Sequence, residues 1–538
     1  MATVEHPRIR PGTLEDREYQ SAIAQAAIAE NTLVVLPTGL GKTAIALRVL
    51  AEFLLRRPTE SALLLAPTRP LVVQHARSVG TTLFSPPPLV LTGAIAPDKR
   101  QALLQPPQVI IATPQVVAND LGSGEFPLGP LSLVIFDEAH RAVGDYPYVT
   151  IGAALRDRPI RVLAMTASPG SRIDRVREVW ANLGLAHFET RSPDDPDVLP
   201  YTHAIRVEPV SVPLPGEVRY LGMLLKTVVR RQLEALVRFG LAPTAELSRR
   251  EILQIGQNLD RQIAVARARN EPVPGAVWNA RSAQAIAMKA NHAVELAETQ
   301  GVEALRQYLA RQREDPRGRR SNALRGFLAD PDVVEVERRL SSLKLEHPKV
   351  ATAVRLVAEE VARAAGARVI LFTQYRQTAD RLIEEFTRGA PPGVRAVRFV
   401  GQATHGRDEG MNQREQIDIL DRFRRGEVNC LVATSVAEEG LDIPSTDLVI
   451  LYEPVPDEIR TIQRRGRTGR ARAGRALVLI AEGTRDEGMY RAAIAKERRM
   501  HEMLEQVQEE HARPGGLGPP RPRPAVQKVL SEFGGDPG

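Results

Sequence analysis

The run TLVVLPTGLGKTAIALRVLAEFLLRR (32–57) contains three local structures in succession. TLVV is an apolar, β-branched strand, LPTGLGKT (36–43) is a glycine-rich turn, and TAIALRVLAEFLLRR is a helix. A strand, a glycine-rich loop ending in Lys-Thr and a helix together form the setting of a phosphate-binding loop. Glycines let backbone N–H groups approach an anion, and the helix N-terminus adds the positive end of its dipole. Leu36, Pro37, Thr38, Gly39, Leu40, Gly41, Lys42 and Thr43 then make the cradle of ATP. Lys42 reaches the β- and γ-phosphates, and the Thr43 hydroxyl ligates Mg²⁺. Leu36 stands where the general pattern has its first glycine, while Gly39 and Gly41 remain.

Outward from this stretch the pattern repeats. ALLLAP (62–67), QVIIATP (108–114), LSLVIFDEAH (131–140) and RVLAMTAS (161–168) are short apolar runs separated by helical stretches. Such alternation predicts a parallel sheet covered on both faces. ARVILFTQY, VRAVRFV, VNCLVATS, DLVILYEP and RALVLIAE repeat it within residues 346–497. From about 216 to 345 the β-branched runs give way to Leu/Ala/Arg-rich helical patterns, broken at EPVPG (271–275) and DPRGRR (315–320). The expected fold class is α/β, with two parallel-sheet domains (1–205 and 346–497) and an all-helical insertion (206–345) between them. Residues 498–538 are a helix end and a tail whose last 26 residues hold 6 Pro and 6 Gly, the composition of a flexible segment.

The chain has 538 residues, 43% of them hydrophobic, and no apolar run near the about 18–20 residues of a membrane helix. Its start has no signal-peptide core, and one cysteine, Cys430, excludes a disulfide framework or a cysteine zinc site. The expectation is a cytoplasmic protein without a membrane partner. The net charge of +7 hints at a polyanion. Residues 216–345 hold 22 Lys and Arg against 15 Asp and Glu, so the whole excess lies in the insertion. Arg311, Arg313, Arg317, Arg319 and Arg320 crowd one stretch of it.

Two further segments carry chemistry. LVIFDEAH (133–140) is an apolar strand ending in two acids. Asp137 suits a Mg²⁺ ligand and Glu138 the orientation of an attacking water. QRRGRTGR (463–470) sets arginines three apart in a glycine-rich turn, a shape suited to phosphate, with Arg467 and Arg470 as finger candidates.

In this order the three segments resemble superfamily 2 helicases, whose two RecA-like domains bind ATP between them and nucleic acid across the top. Further strings agree with that resemblance. Tyr19-Gln20 resembles the element whose Gln, here Gln20, reads adenine. APTRPLVVQH (66–75), TG (92–93) and TPQVV (113–117) resemble the first domain's nucleic-acid contacts and imply such roles for Arg69, Gln74 and Thr113. TAS (166–168) resembles the motif coupling hydrolysis to movement, which assigns coupling to His140, Thr166 and Ser168. FTQYR (372–376) and VATSVAEEGLDIP (432–444) imply nucleic-acid contacts at Gln374 and Thr434, a ribose contact at Asp442 and, with the arginine motif, a nucleotide contact at Gln463.

RFVGQA (398–403), GMNQREQ (410–416) and YEPVPDEIRTIQRRGRTGR (452–470) resemble the Hef/FANCM group of branched-DNA translocases. That group also has a helical insertion here, which resembles a polymerase thumb and grips duplex at forks. The resemblance implies a DNA helicase or translocase that uses ATP and Mg²⁺ and remodels forks and single strand–duplex junctions in repair and replication restart. Archaeal Hef adds an XPF-like nuclease, for which the chain has no room after ERR (497–499), so any nuclease is expected as a separate polypeptide. An ATP-gated nucleic-acid clamp, or an RNA-sensing ATPase like the RIG-I group, is the alternative from another class. In the tail, Gln527, Leu530 and Phe533 are spaced as in the box that binds the sliding clamp PCNA, with Gly534 in place of the second aromatic.

Overall fold

The computed structural model describes residues 2–202, 205–314, 321–364, 366–389, 391–401, 410–434, 443–455 and 474–513. The first sheet has seven strands: β1 (Thr32–Val35), β2 (Ser61–Leu65), β3 (Leu89–Leu91), β4 (Val109–Ala112), β5 (Leu131–Phe136), β6 (Arg161–Thr166) and β7 (His187–Thr190). Their order is β3-β4-β2-β5-β6-β1-β7, and every pairing is parallel. Each apolar run buries alternate residues on opposite faces. Leu33 and Val35 join one core with Leu63, Val134 and Phe136. Val34 and Leu36 join the other with Leu64, Ile135 and the helix Lys42–Arg56, which supplies Ile45, Val49 and Leu50.

The second sheet has six strands: β8 (Ile205–Val212), β9 (Val369–Phe372), β10 (Ala396–Phe399), β11 (Cys430–Ala433), β12 (Leu448–Leu451) and β13 (Gly474–Ala481). They run β10-β11-β9-β12-β13-β8, all parallel. Ile370, Phe372, Leu431 and Val449 line one face, and Val369, Leu371, Val432 and Ile450 the other. Two parallel-sheet lobes with a helical bundle between them make up the architecture.

The bundle lies between β8 and β9 in sequence. Its long helices are Gly216–Arg238, Arg249–Ala268 and Gly275–Glu295. The third presents Ala280, Ala283, Ala287, Ala290 and Ala293 as a buried stripe, and such small side chains let neighbouring helices approach closely. Ser248 and Glu251 close a capping box at the start of the second. Helix Gly275–Glu295 runs into a single π-helical turn, Leu296–Gln300, and then into Val302–Arg313.

Two elements cross the boundaries drawn from sequence. β8 was divided between the first unit and the insertion at residue 205, but it pairs along its length with β13 and belongs to the second sheet. It is an edge strand, which is why Pro209 is tolerated within it. The helix Arg485–His511 runs on past residue 497, and Met500, Met503 and Val507 enter the core of the first lobe. No helix among the described residues is long and apolar enough to cross a membrane.

Candidate active site

The C-terminal ends of β1, β5 and β6 lie side by side, where an open parallel sheet places its ligands. Leu36 N–H donates to the Thr166 carbonyl (3.0 Å), and Asp137 N–H to the Leu65 carbonyl (3.0 Å). Sheet pairing thus continues one residue past each strand and fixes where the loop, the acids and the TAS segment begin.

The loop after β1 has left-handed glycines, Gly39 (φ 96°) and Gly41 (φ 80°), before helix Lys42–Arg56 starts. Its Leu40 carbonyl accepts hydrogen bonds from Tyr19 Oη (2.8 Å) and Gln20 Nε2 (3.1 Å), both buried. The Tyr19-Gln20 pair therefore buckles the loop from below. Lys42 Nζ donates to the Leu36 carbonyl (2.8 Å), across the mouth of the loop.

Asp137 is buried, and each of its oxygens is engaged. Oδ2 lies 2.8 Å from His75 Nε2, and Oδ1 accepts the Glu138 N–H (3.0 Å). Burial pushes its pKa up, but the His75 hydrogen bond and charge, with Lys42 and the Glu138 N–H, outweigh this and hold the carboxyl below its ordinary range. The Asp137 carbonyl accepts from Tyr148 Oη (2.6 Å), which also reaches the Leu65 carbonyl (3.2 Å). Glu138 follows in the left-handed region (φ 51°), a strained conformation for a residue with a Cβ. His140 Nδ1 lies 2.9 Å from Thr166 Oγ1 and 3.3 Å from Glu138 Oε2. Thr166 Oγ1 in turn reaches the Ser168 carbonyl (3.1 Å), so a hydrogen-bonded run from His140 through Thr166 to the TAS segment lies beside Glu138.

The residues fit a magnesium nucleotide. Asp137 is a charged hard-oxygen ligand, Thr43 adds a hydroxyl in the first turn of the loop helix, and Lys42 is close enough to act on the Asp137 charge. Thr38 Oγ1 and Glu138 Oε2 are buried without a hydrogen-bond partner, one in the loop and one beside it. Thr43 and Asp137 would hold Mg²⁺, which when bound would neutralise negative charge on the phosphates.

Lys42, Asp137, Glu138, His140, Thr166, Ser168 and Gln20 therefore gather at the C-terminal end of one sheet. Among the expected nucleic-acid contacts, Arg69 and Gln374 are exposed and Gln74 half-buried, but Thr113 and Thr434 are buried. Arg69 packs against Gly93 of the TG segment. Arg311 is exposed, whereas Arg313 forms a two-pronged ion pair with Glu337. Asp442, Gln463, Arg467, Arg470, Arg317, Arg319, Arg320, Gln527, Leu530 and Phe533 lie outside the described residues. Sequence reading missed Tyr148 and gave APTRPLVVQH to nucleic acid without separating His75 from it. A signal was present: His75 interrupts the buried stripe Val72–His75–Val79.

Three family models match the chain. "DEAD/DEAH box helicase" covers residues 17–176, "Putative ATP-dependent RNA helicase, helical bundle" 216–346, and "Helicase conserved C-terminal domain" 349–472. The solved helicase domain of Hef from Pyrococcus furiosus is 40% identical, with a TM-score of 0.68 over 90% of this chain and 100% of that one. A protein of Methanocaldococcus jannaschii named as a putative ATP-dependent RNA helicase is 38% identical over 507 residues, 94% of this chain and 62% of its own length. A protein of Neurospora crassa named as an ATP-dependent DNA helicase is 31% identical over 491 residues, 88% of this chain and 41% of its own. The chain thus spans less than two thirds of either relative.

Proposed function

Since the chain belongs to the Hef/FANCM group of superfamily 2 DEAD/DEAH-box helicases, we propose that it is an ATP-driven motor that moves along and remodels branched DNA. The observation that carries this reading is that His140, 3.3 Å from Glu138, is hydrogen-bonded to Thr166 and through it to the Ser168 carbonyl. The acid proposed to orient water thus lies beside the segment that the last helix of the second lobe touches, since Ser168 Oγ lies 3.0 Å from Met500 Sδ. Lys42 binds the phosphates, Asp137 and Thr43 hold Mg²⁺, Glu138 positions the water, and Arg467 and Arg470 complete the site from the second lobe. Asp442 and Gln463 contact the nucleotide.

DNA is the substrate of this proposal, gripped through its backbone by Arg69 and Gln374, with the basic insertion on the duplex arm of a fork. The Neurospora relative's name favours it. An RNA substrate is the second reading, favoured by the name of the Methanocaldococcus relative and of the bundle model. Clamp binding by Gln527, Leu530 and Phe533, and a nuclease partner, complete the proposed setting at a replication fork. Steady-state ATPase with fork DNA, single-stranded DNA and double-stranded RNA decides between the readings. The DNA reading requires fork DNA to stimulate most, and stimulation by double-stranded RNA alone overturns it. Reversing Arg311 and its neighbours should lower fork affinity and flatten its salt dependence, leaving DNA-free turnover intact.

A further inference from the structure

The helix Arg69–Thr82 packs on the first sheet through Val72, His75 and Val79. Packing alone asks for an apolar residue in the middle of that stripe. The position holds a histidine instead, 3% exposed, with Nε2 at 2.8 Å from Asp137 Oδ2. With Oδ1 already accepting the Glu138 N–H, the His75 bond settles how the carboxylate can rotate. The same helix opens with Arg69, exposed beside Gly93, and carries Gln74 next to His75.

We propose that His75 is a positioning residue. Its Nε2–H holds the Asp137 carboxylate in the orientation that ligates the metal, and ties that ligand to the helix that opens with Arg69, the proposed nucleic-acid contact. Metal affinity and the seating of nucleic acid on this helix are then linked through one hydrogen bond. The proposal rests on the reading of Asp137 as the Mg²⁺ ligand. It does not need His75 to touch nucleotide, and it makes no use of proton transfer. A residue that only fills the core would be replaced without consequence by leucine, which has similar bulk and no donor.

The test is Mn²⁺ binding to the full chain with a non-hydrolysable ATP analogue, read by electron paramagnetic resonance, with and without single-stranded DNA. His75→Leu should weaken Mn²⁺ binding by about 10- to 100-fold, the usual loss when the partner of a ligating group is removed. Nucleotide affinity in EDTA should stay as in wild type. His75→Gln, whose amide places an N–H near the Nε2 position, should recover most of the metal affinity, and the shorter His75→Asn should not. DNA should tighten Mn²⁺ binding in wild type and in the glutamine variant only. Wild-type Mn²⁺ affinity in His75→Leu, or equal affinities for the Gln and Asn variants should the leucine variant not fold, overturns the proposal. Asp137→Asn separates the two levels. If it keeps Mn²⁺, the reading of Asp137 falls and the proposal falls with it. If it loses Mn²⁺ while His75→Leu keeps it, the proposal falls alone.

Discussion

A methyl group on Gly41 would stand 2.3 Å from Gln20 Nε2, in a backbone conformation (φ 80°) that residues with a Cβ avoid. Gly41→Ala therefore carries both a conformational cost of about 1–2 kcal/mol and the loss of the Gln20 bond to Leu40. We expect a lower melting midpoint and nucleotide binding weakened by at least an order of magnitude; a normal Kd by fluorescent-nucleotide titration would contradict the buckle. Glu138→Gln should keep nucleotide binding and lose about 10²- to 10⁴-fold in turnover, because an amide cannot accept the water's proton. Arg467→Ala and Arg470→Ala should each cost about 10³-fold in kcat with little change in ATP affinity. Turnover of any of these within a few-fold of wild type in a single-turnover assay removes that residue's assignment. These residues were legible because phosphate chemistry demands fixed types at fixed spacing. His75 and Tyr148 were not. Their roles are contacts across 62 and 11 residues, and spacing along the chain carries no trace of a pairing that only the sheet creates.

Among the secondary-structure elements, the π-helical turn Leu296–Gln300 and its flanks tie the bundle to the second lobe. Glu295 accepts from Tyr375 Oη (2.9 Å) and pairs with Arg249 (3.1 Å) and Arg485 (2.9 Å). Gln300 Nε2 donates to Glu453 Oε1 (2.8 Å), which also accepts from Thr373 (2.8 Å). Burial pushes the Glu295 carboxyl up, but His292, Arg485, Tyr375 and Arg249 more than reverse this and hold it at about 2. A carboxyl depressed in the folded state stabilises above its unfolded pKa of about 4.3, and that contribution fades as pH falls toward the folded value. Glu295→Gln should thus melt several degrees below wild type at pH 7, with the gap closing between about pH 4.3 and 2. A gap independent of pH in thermal denaturation would mean that the charge is not what holds this joint. The interior strands of both sheets were legible as apolar runs, since burial on both faces leaves little choice of residue. Of the four edge strands, only β10, within VRAVRFV, was. β3 has only three residues, β7 reads HFET, and β8 contains a proline, because an edge needs neither length nor continuous burial.

Across the whole molecule, the helix Arg485–His511 spans the two lobes. Its first turn is fixed to the second lobe by Asp486, which accepts from the buried Lys349 and from Ala481 N–H (3.1 Å). Its far half lies on the first lobe, with Met500 and Met503 in the core and Glu510 paired to Arg177 (2.6 Å). This span was hidden from sequence reading because amphipathic periodicity shows that a helix has an apolar face and says nothing of which lobe receives it. A helical strap anchored to both lobes in this way is expected to limit how far they separate. Arg177 is largely buried, so reversing one partner leaves like charges facing each other, which costs more than the intact pair contributes. Arg177→Glu or Glu510→Arg alone should free the end of the strap and widen the distribution of distances between lobes, while the double reversal restores it. The measurement is favoured by the chain itself. Cys430 is the sole cysteine, buried, with its thiol pushed up to about 12, so labels go selectively to cysteines introduced at exposed positions such as Asp157 and Arg388. Energy transfer between those labels, without nucleotide, should show a broader and longer distribution in each single reversal and a wild-type distribution in the double. Unchanged distributions in both single variants would mean that the lobes are held by other contacts and not by the strap.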